Sequence, residues 1–164
     1  MELWQYALAI LMSIMPISEV RGAIPYVVLV AKDTSSVVVG CIISTISNMV
    51  VPVIVFNALD LLNKFAKSSD RLSFFKKTYS WIVEHGKKKA HKVEAGGYVA
   101  LSVFVALPFP ATGAWTGSLI AYLLGLDRCK SILFINLGVL IASIIVFSAV
   151  YLSVEFLKKI FFIF

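Results

Sequence analysis

Pro16-Ile17-Ser18-Glu19-Val20-Arg21-Gly22-Ala23-Ile24-Pro25 and Pro108-Phe109-Pro110-Ala111-Thr112-Gly113-Ala114-Trp115-Thr116-Gly117 are polar, proline-flanked breaks in the most apolar parts of the chain. The first sets a carboxylate and a guanidinium two residues apart. The second repeats its Gly-Ala step 91 residues later, with threonines in place of the charges. Irregular backbone at membrane depth survives only where protein or a water-filled cavity satisfies its polar groups. Paired interruptions in corresponding positions of two halves point to a transporter's binding site. Function is therefore expected where these breaks lie.

Working outward, the flanking sequence sets the class. Apolar residues make up 60% of the 164-residue chain, and the mean hydropathy of +0.93 is far above that of an ordinary globular protein. Residues 37–62 carry one charge, Asp60, and residues 131–154 carry none. Each run exceeds the roughly 20 apolar residues a spanning helix needs. The start of the chain, Met1-Glu2, has no basic region, and no small-residue cleavage site precedes the first break. Residues 3–15 are therefore expected to belong to the mature membrane domain. Cys41 and Cys129 make no disulfide or metal framework and read as small buried hydrophobes.

The net charge of +6 is concentrated. Residues 64–94 hold nine Lys/Arg against three acids, interleaved with Leu72, Phe74, Phe75, Tyr79, Trp81, Ile82 and Val83. In so apolar a chain the positive-inside rule explains this better than nucleic-acid binding, and no nucleic-acid partner is expected. The segment is predicted to be an amphipathic connector on the cytoplasmic face of the cell membrane, lying on anionic headgroups and ending near Gly86.

The expected fold is an all-α integral membrane protein of two inverted-topology repeats, each a re-entrant helical hairpin followed by one long transmembrane helix. The first repeat covers residues 1–63, with a hairpin over 3–31 and a helix over 37–63. The basic connector covers 64–96. The second repeat covers 97–164, with a hairpin over 97–126 and a helix over 131–157. The apolar arms beside the breaks would span roughly 12–20 Å, half a bilayer core. Counting Lys/Arg does not separate re-entrant from crossing hairpins, because both arrangements place eleven inside and three outside. Inverted repeats are common among transporters, and this favours the re-entrant form.

Glu19 and Arg21 are the strongest individual signals, because a charge at the bilayer centre costs at least about 2.5–3.5 kcal/mol on insertion scales. Residues i and i+2 do not face each other on a helix, so their pairing needs the bend that Pro16, Gly22 and Pro25 supply. Two roles stand side by side: a salt bridge locking that bend, or Arg21 attracting an anionic group while Glu19 exchanges a proton. In the second break Pro108 and Pro110 stop the incoming helix. Thr112, as N-cap, would start the outgoing one with Gly113, Thr116 and Gly117, and its amides would face the site; Thr112 and Thr116 either contact the solute there or only satisfy local backbone. Trp115 stacks on a ligand or anchors the hairpin. Asn48 and Asn136, 88 residues apart in the two long helices, are expected to satisfy the hairpins or contact substrate directly. Pro52 is expected to kink the first long helix. His85 and His91 lack zinc-site spacing, and phosphate-loop and nucleophile-elbow motifs are missing. No enzyme activity, metal or cofactor is expected.

On the two quoted stretches the chain resembles the small multidrug export protein family, which is distantly similar to the DedA superfamily. Some DedA members move polyprenyl-phosphate lipid carriers with two facing re-entrant hairpins. The resemblance implies that Glu19 and Arg21 fall at an acidic and an arginine position near the hairpin tip. The chain departs from DedA in the second hairpin, where no charge lies between Glu94 and Asp127.

The resulting expectation is a secondary transporter or exporter of a small or lipid-like solute, proton-coupled through Glu19. The alternatives are a flippase for anionic lipid carriers and a non-transporting membrane scaffold. Expected partners are membrane lipids, the solute, and a second copy of the chain in a homodimer.

Overall fold

Pro16 decides how the chain first turns. The computed structural model describes residues 1–68, 97–109 and 112–161. Helix α1 (Leu3–Ile14) ends at Met15, whose ψ of 137° is extended, as a residue before proline prefers. Helix α2 (Glu19–Val30) begins four residues later and carries Pro25 inside it. Helix α3 (Thr34–Met49) starts at an Asp33 cap, whose carboxylate accepts from the Ser36 amide at 2.8 Å and its hydroxyl at 2.7 Å. Helix α4 (Val51–Ser68) follows after a one-residue interruption at Val50.

The second half repeats this order. Helix α5 (Gly97–Ala106) leads through residues 107–113 to α6 (Ala114–Leu123). A Schellman motif closes α6: Leu126 N donates to Ala121 O and Gly125 N to Tyr122 O, with Gly125 at φ +64°. Helix α7 (Arg128–Phe161) then starts at Asp127, which accepts from the Lys130 amide at 2.9 Å, as Asp33 does in the first half.

Each helix pair lies along the first part of the long helix that follows it. The α1–α2 pair packs on α3, where Val27 fills the space that a side chain at Gly40 would need. The α5–α6 pair packs on α7, where a Cβ at Gly138 would meet Ser102 O at 2.6 Å. The α3–α4 rod and α7 run in opposite directions. Arg128, at the start of α7, reaches Asp60 and Asn57 of α4. Tyr151 and Val154, near its end, line one pocket with Val37 and residues 31–34. The two turns meet between these ends, around the buried Val20, Ile24, Leu101, Val105 and Ile120.

Thr34–Lys64 and Arg128–Val154 are long and apolar enough to cross a membrane. Their outward residues are exposed rather than buried: Ile42, Ile46, Leu133, Leu137, Ile141 and Ile144 are 42–64% accessible. A core helix of a soluble protein would cover such a surface; hydrocarbon needs no cover.

Several boundaries differ from the sequence reading. The span expected over 37–63 is two helices from Thr34 to Ser68, because Pro52 has no amide to donate to the Asn48 carbonyl. Helix α2 starts at Glu19, so Arg21 stands in its first turn, while Glu19 itself keeps a non-helical, left-handed backbone at the bend. Helix α7 exceeds the expected 131–157 at both ends. Pro110 and most of the basic connector, residues 69–96 with His85 and His91, lie outside the described residues.

Candidate functional site

Glu19 has a φ of +47°, the one left-handed non-glycine residue among those described. That backbone costs an L-residue roughly 1–2 kcal/mol. The conformation directs a carboxylate that is only 4% exposed into the other helix pair. Its Oε2 accepts from Ala114 N and its Oε1 from Trp115 N, both at 3.3 Å. These amides are orphan donors of the first turn of α6, where the helix dipole favours negative charge. Gly113 makes room: a Cβ there would lie 1.6 Å from Glu19 Oε2.

Arg21 serves the opposite end of the same break. Its Nη2 donates to Leu107 O at 2.8 Å, to Thr112 Oγ1 at 3.0 Å and, more loosely, to Val105 O at 3.4 Å. These carbonyls belong to the C-terminal turn of α5, where a cation is favoured. Arg21 Nη1 stands 3.9 Å from Glu19 Oε2, so the direct ion pair is loose and both groups spend their bonds on helix ends. The carboxylate and guanidinium thus cap the two sides of the second break.

The end of α1 is capped in turn, by the second half and by α3. Trp115 Nε1 donates to Ile14 O at 2.9 Å, and Asn48 Nδ2 donates to Ser13 O at 2.6 Å. Both acceptors are carbonyls left over at the end of α1. Ser18 Oγ donates to Met12 O, one residue further back. These backbone groups freed by the turns find partners in the opposite half, in α3 or within the turn itself.

Thr112 is not the N-cap of α6; Gly113 is, and the Glu19 carboxylate does the capping from outside. The single Thr112 hydroxyl proton is shared between Leu107 O at 2.7 Å and Phe109 O at 2.8 Å. Thr116 stands half-buried in the first turn of α6, and Gly117 lies further in against Val105. Gly22 and Pro25 lie inside α2, and Pro16 and Pro108 are exposed at the turns. Asn136 lies in α7; its Oδ1 is buried and makes no hydrogen bond among the described residues.

Sequence reasoning gave no role to Asn57 and Asp60, yet both bind the start of α7. Arg128 Nη1 reaches Asp60 Oδ2 at 3.2 Å, Nη2 reaches Asn57 Oδ1 at 2.7 Å, and the guanidinium lies 5.7 Å from the Phe56 ring centre. The available signal was one acid near the end of the first long apolar run and one arginine just before the second. The carbonyl acceptors at Ser13, Ile14, Val105 and Leu107 carry no side-chain signal at all.

No curated protein and no solved structure matches the chain. The model of a family described as "Putative small multi-drug export protein" matches residues 19–145, from the capping carboxylate to beyond the middle of α7. The chain belongs to that family.

Proposed function

We propose that the chain is an integral membrane exporter built from two inverted hairpin-plus-helix repeats, with re-entrant hairpins whose facing tips control the solute path. One observation carries this reading: the charges of one turn cap the helix ends of the other, midway along the long apolar helices. Both ends of the α1–α2 pair lie at the start of α3, while its turn reaches only Asn48. The span continues from there to Lys64, so a pair that enters and leaves on one side fits this placement. The opposed directions of the α3–α4 rod and α7 fit inversion of the second half.

In this reading Glu19 is the proton-exchanging group. Protonation replaces a carboxylate that accepts from two amides with a neutral group that holds α6 less strongly. The tips then separate and the path opens. A homodimer completes the wall around so small a bundle, and the basic connector faces the cytoplasm.

The test is proton-driven flux in reconstituted vesicles, with cationic drugs and lipid phosphates as candidate solutes. Glu19→Gln is expected to lower coupled flux by about tenfold or more, in line with the loss of charge-assisted bonds. A non-transporting scaffold is the second reading, favoured by the observation that Glu19 and Arg21 are engaged by helix ends. Unchanged flux in both Glu19→Gln and Arg21→Ala selects it.

A further inference from the structure

By sequence α4 completes the first repeat, yet it packs on the second. It lies against α6 and α7 and makes little contact with α1 or α2. Tyr122 of α6 holds it: Asn63 Nδ2 donates to the Tyr122 hydroxyl, which donates to Leu59 O, both at 3.4 Å. The Phe56 and Tyr122 rings meet edge-on, 6.1 Å between centres, and Arg128 adds its bonds to Asp60 and Asn57. Helix α3 belongs to the other side. It packs on α1 and α2, and Asn48 near its end ties it to Ser13 O. One spanning rod is thus shared between two bodies, α1–α3 and α4–α7.

The chain passes between the bodies at residues 50–52, where its own hydrogen-bond ladder is interrupted. Pro52 has no amide for Asn48 O, and the Val53 amide donates to Val50 O at 3.1 Å, three residues back instead of four. Interruptions of this kind are where long helices bend. What joins the bodies elsewhere is uneven. Hydrogen bonds between them lie at the tips, from Ala114 N and Trp115 N to Glu19, from Arg21 to Leu107 O and Thr112 Oγ1, and from Trp115 Nε1 to Ile14 O. Away from the tips α2 and α3 meet α7 along a seam that contains an open groove of about 290 Å³, walled by Ile46 and Met49 on one side and Leu140 and Phe147 on the other. The hydroxyls in this groove bond within their own helices, Thr45 to Cys41 O and Ser143 to Val139 O. In hydrocarbon such a seam is held by packing, because lipid tails are as apolar as leucine. Where the groove leaves atoms without neighbours, there is less packing to lose when the bodies part.

We propose that the two bodies turn on a hinge at Val50–Pro52, so that α4 travels with the second half and not with its own repeat, and that the tip bonds latch this turn. This deepens the export reading by naming its moving parts, and rests on it only for the purpose of the motion.

Distances between pairs of spin labels on the full chain in nanodiscs, with Cys41 and Cys129 replaced, test this without transport. Val38 of α3 and Leu152 of α7 lie toward the same end, where Val37 and Tyr151 share a pocket, but on different bodies. Leu61 of α4 is the common partner, and all three positions are 46–67% exposed, so labels there leave the core intact. Two variants release tip bonds: Gly113→Ala, which expels the Glu19 carboxylate, and Trp115→Phe, which drops the bond to Ile14 O. In either variant the Val38–Leu61 distance is expected to shift or broaden while Leu61–Leu152 keeps its native distribution. The reverse result shows that α3 and α4 move as one rod and overturns the proposal, as does a change in both pairs or in neither. Pro52→Ala returns the missing donor and is expected to suppress the Val38–Leu61 change; an undiminished change overturns the placement of the hinge. The distances are read without solute, so the expected pattern in a chain that shows no flux removes the export reading alone. Flux with a rigid α3–α4 rod removes the hinge alone.

Discussion

At the scale of the residue, Gly113 is as much part of the tip as the charges. Any side chain there occupies the position of the Glu19 carboxylate, so Gly113→Ala expels it and strips two acceptor bonds from α6. We expect a stability loss of about 1–3 kcal/mol by thermal melting in detergent, the range for an unsatisfied buried group. The same loss is expected from Glu19→Ala, and the double variant should cost no more than either single one, because all three remove one interaction. Additive losses would show that Gly113 acts elsewhere. Glu19 and Arg21 were legible in sequence because charge is rare in such a stretch. Their targets were not, because a backbone carbonyl or amide becomes an orphan only once a helix ends.

At the scale of the element, the two long helices start alike, with Asp33 and Asp127 each capping the residue three ahead. The Ser36 hydroxyl and amide hold the Asp33 carboxyl below its ordinary pKa. A depressed carboxyl stabilises the fold above its unfolded value, near 4, and that contribution is lost as pH falls through the lower folded value. Hydrogen-exchange protection at residues 34–37, taken relative to an unstructured peptide at the same pH, should therefore fall on acidification through that range. Asp33→Asn, which cannot ionise, should remove the pH dependence. Elsewhere along the rod, the sequence located Pro52 as a disruption but not its form. A kink in one helix and a break between two both follow from one missing donor, and Val51 and Pro52 are buried where it occurs.

At the scale of the whole molecule, the arrangement of halves makes a labelling prediction. Ser35 lies at the start of α3 and the exposed Cys129 at the start of α7, at opposite ends of the antiparallel long helices. With Cys41 replaced, a Ser35→Cys thiol and native Cys129 should react with an impermeant maleimide from opposite faces of the membrane. Reaction of both from one face rejects inverted re-entrant repeats. The Arg128–Asp60 contact fixes the second half against α4, so Arg128→Glu should loosen the bundle and Asp60→Lys in the same chain should restore it. Because both side chains are more than two-fifths exposed, the effect belongs to assembly rather than to a large stability term.

The sequence by itself determined the helical class, the two long apolar runs, the two breaks and the rarity of charge within them, because these follow from composition and from what proline and ionisable groups do to a helix. Only the tertiary structure decided which groups meet. The carboxylate and guanidinium of the first turn cap the second, and the tryptophan of the second caps the first. Orphan backbone groups are identical in every sequence, and their partners exist only once the two turns face each other.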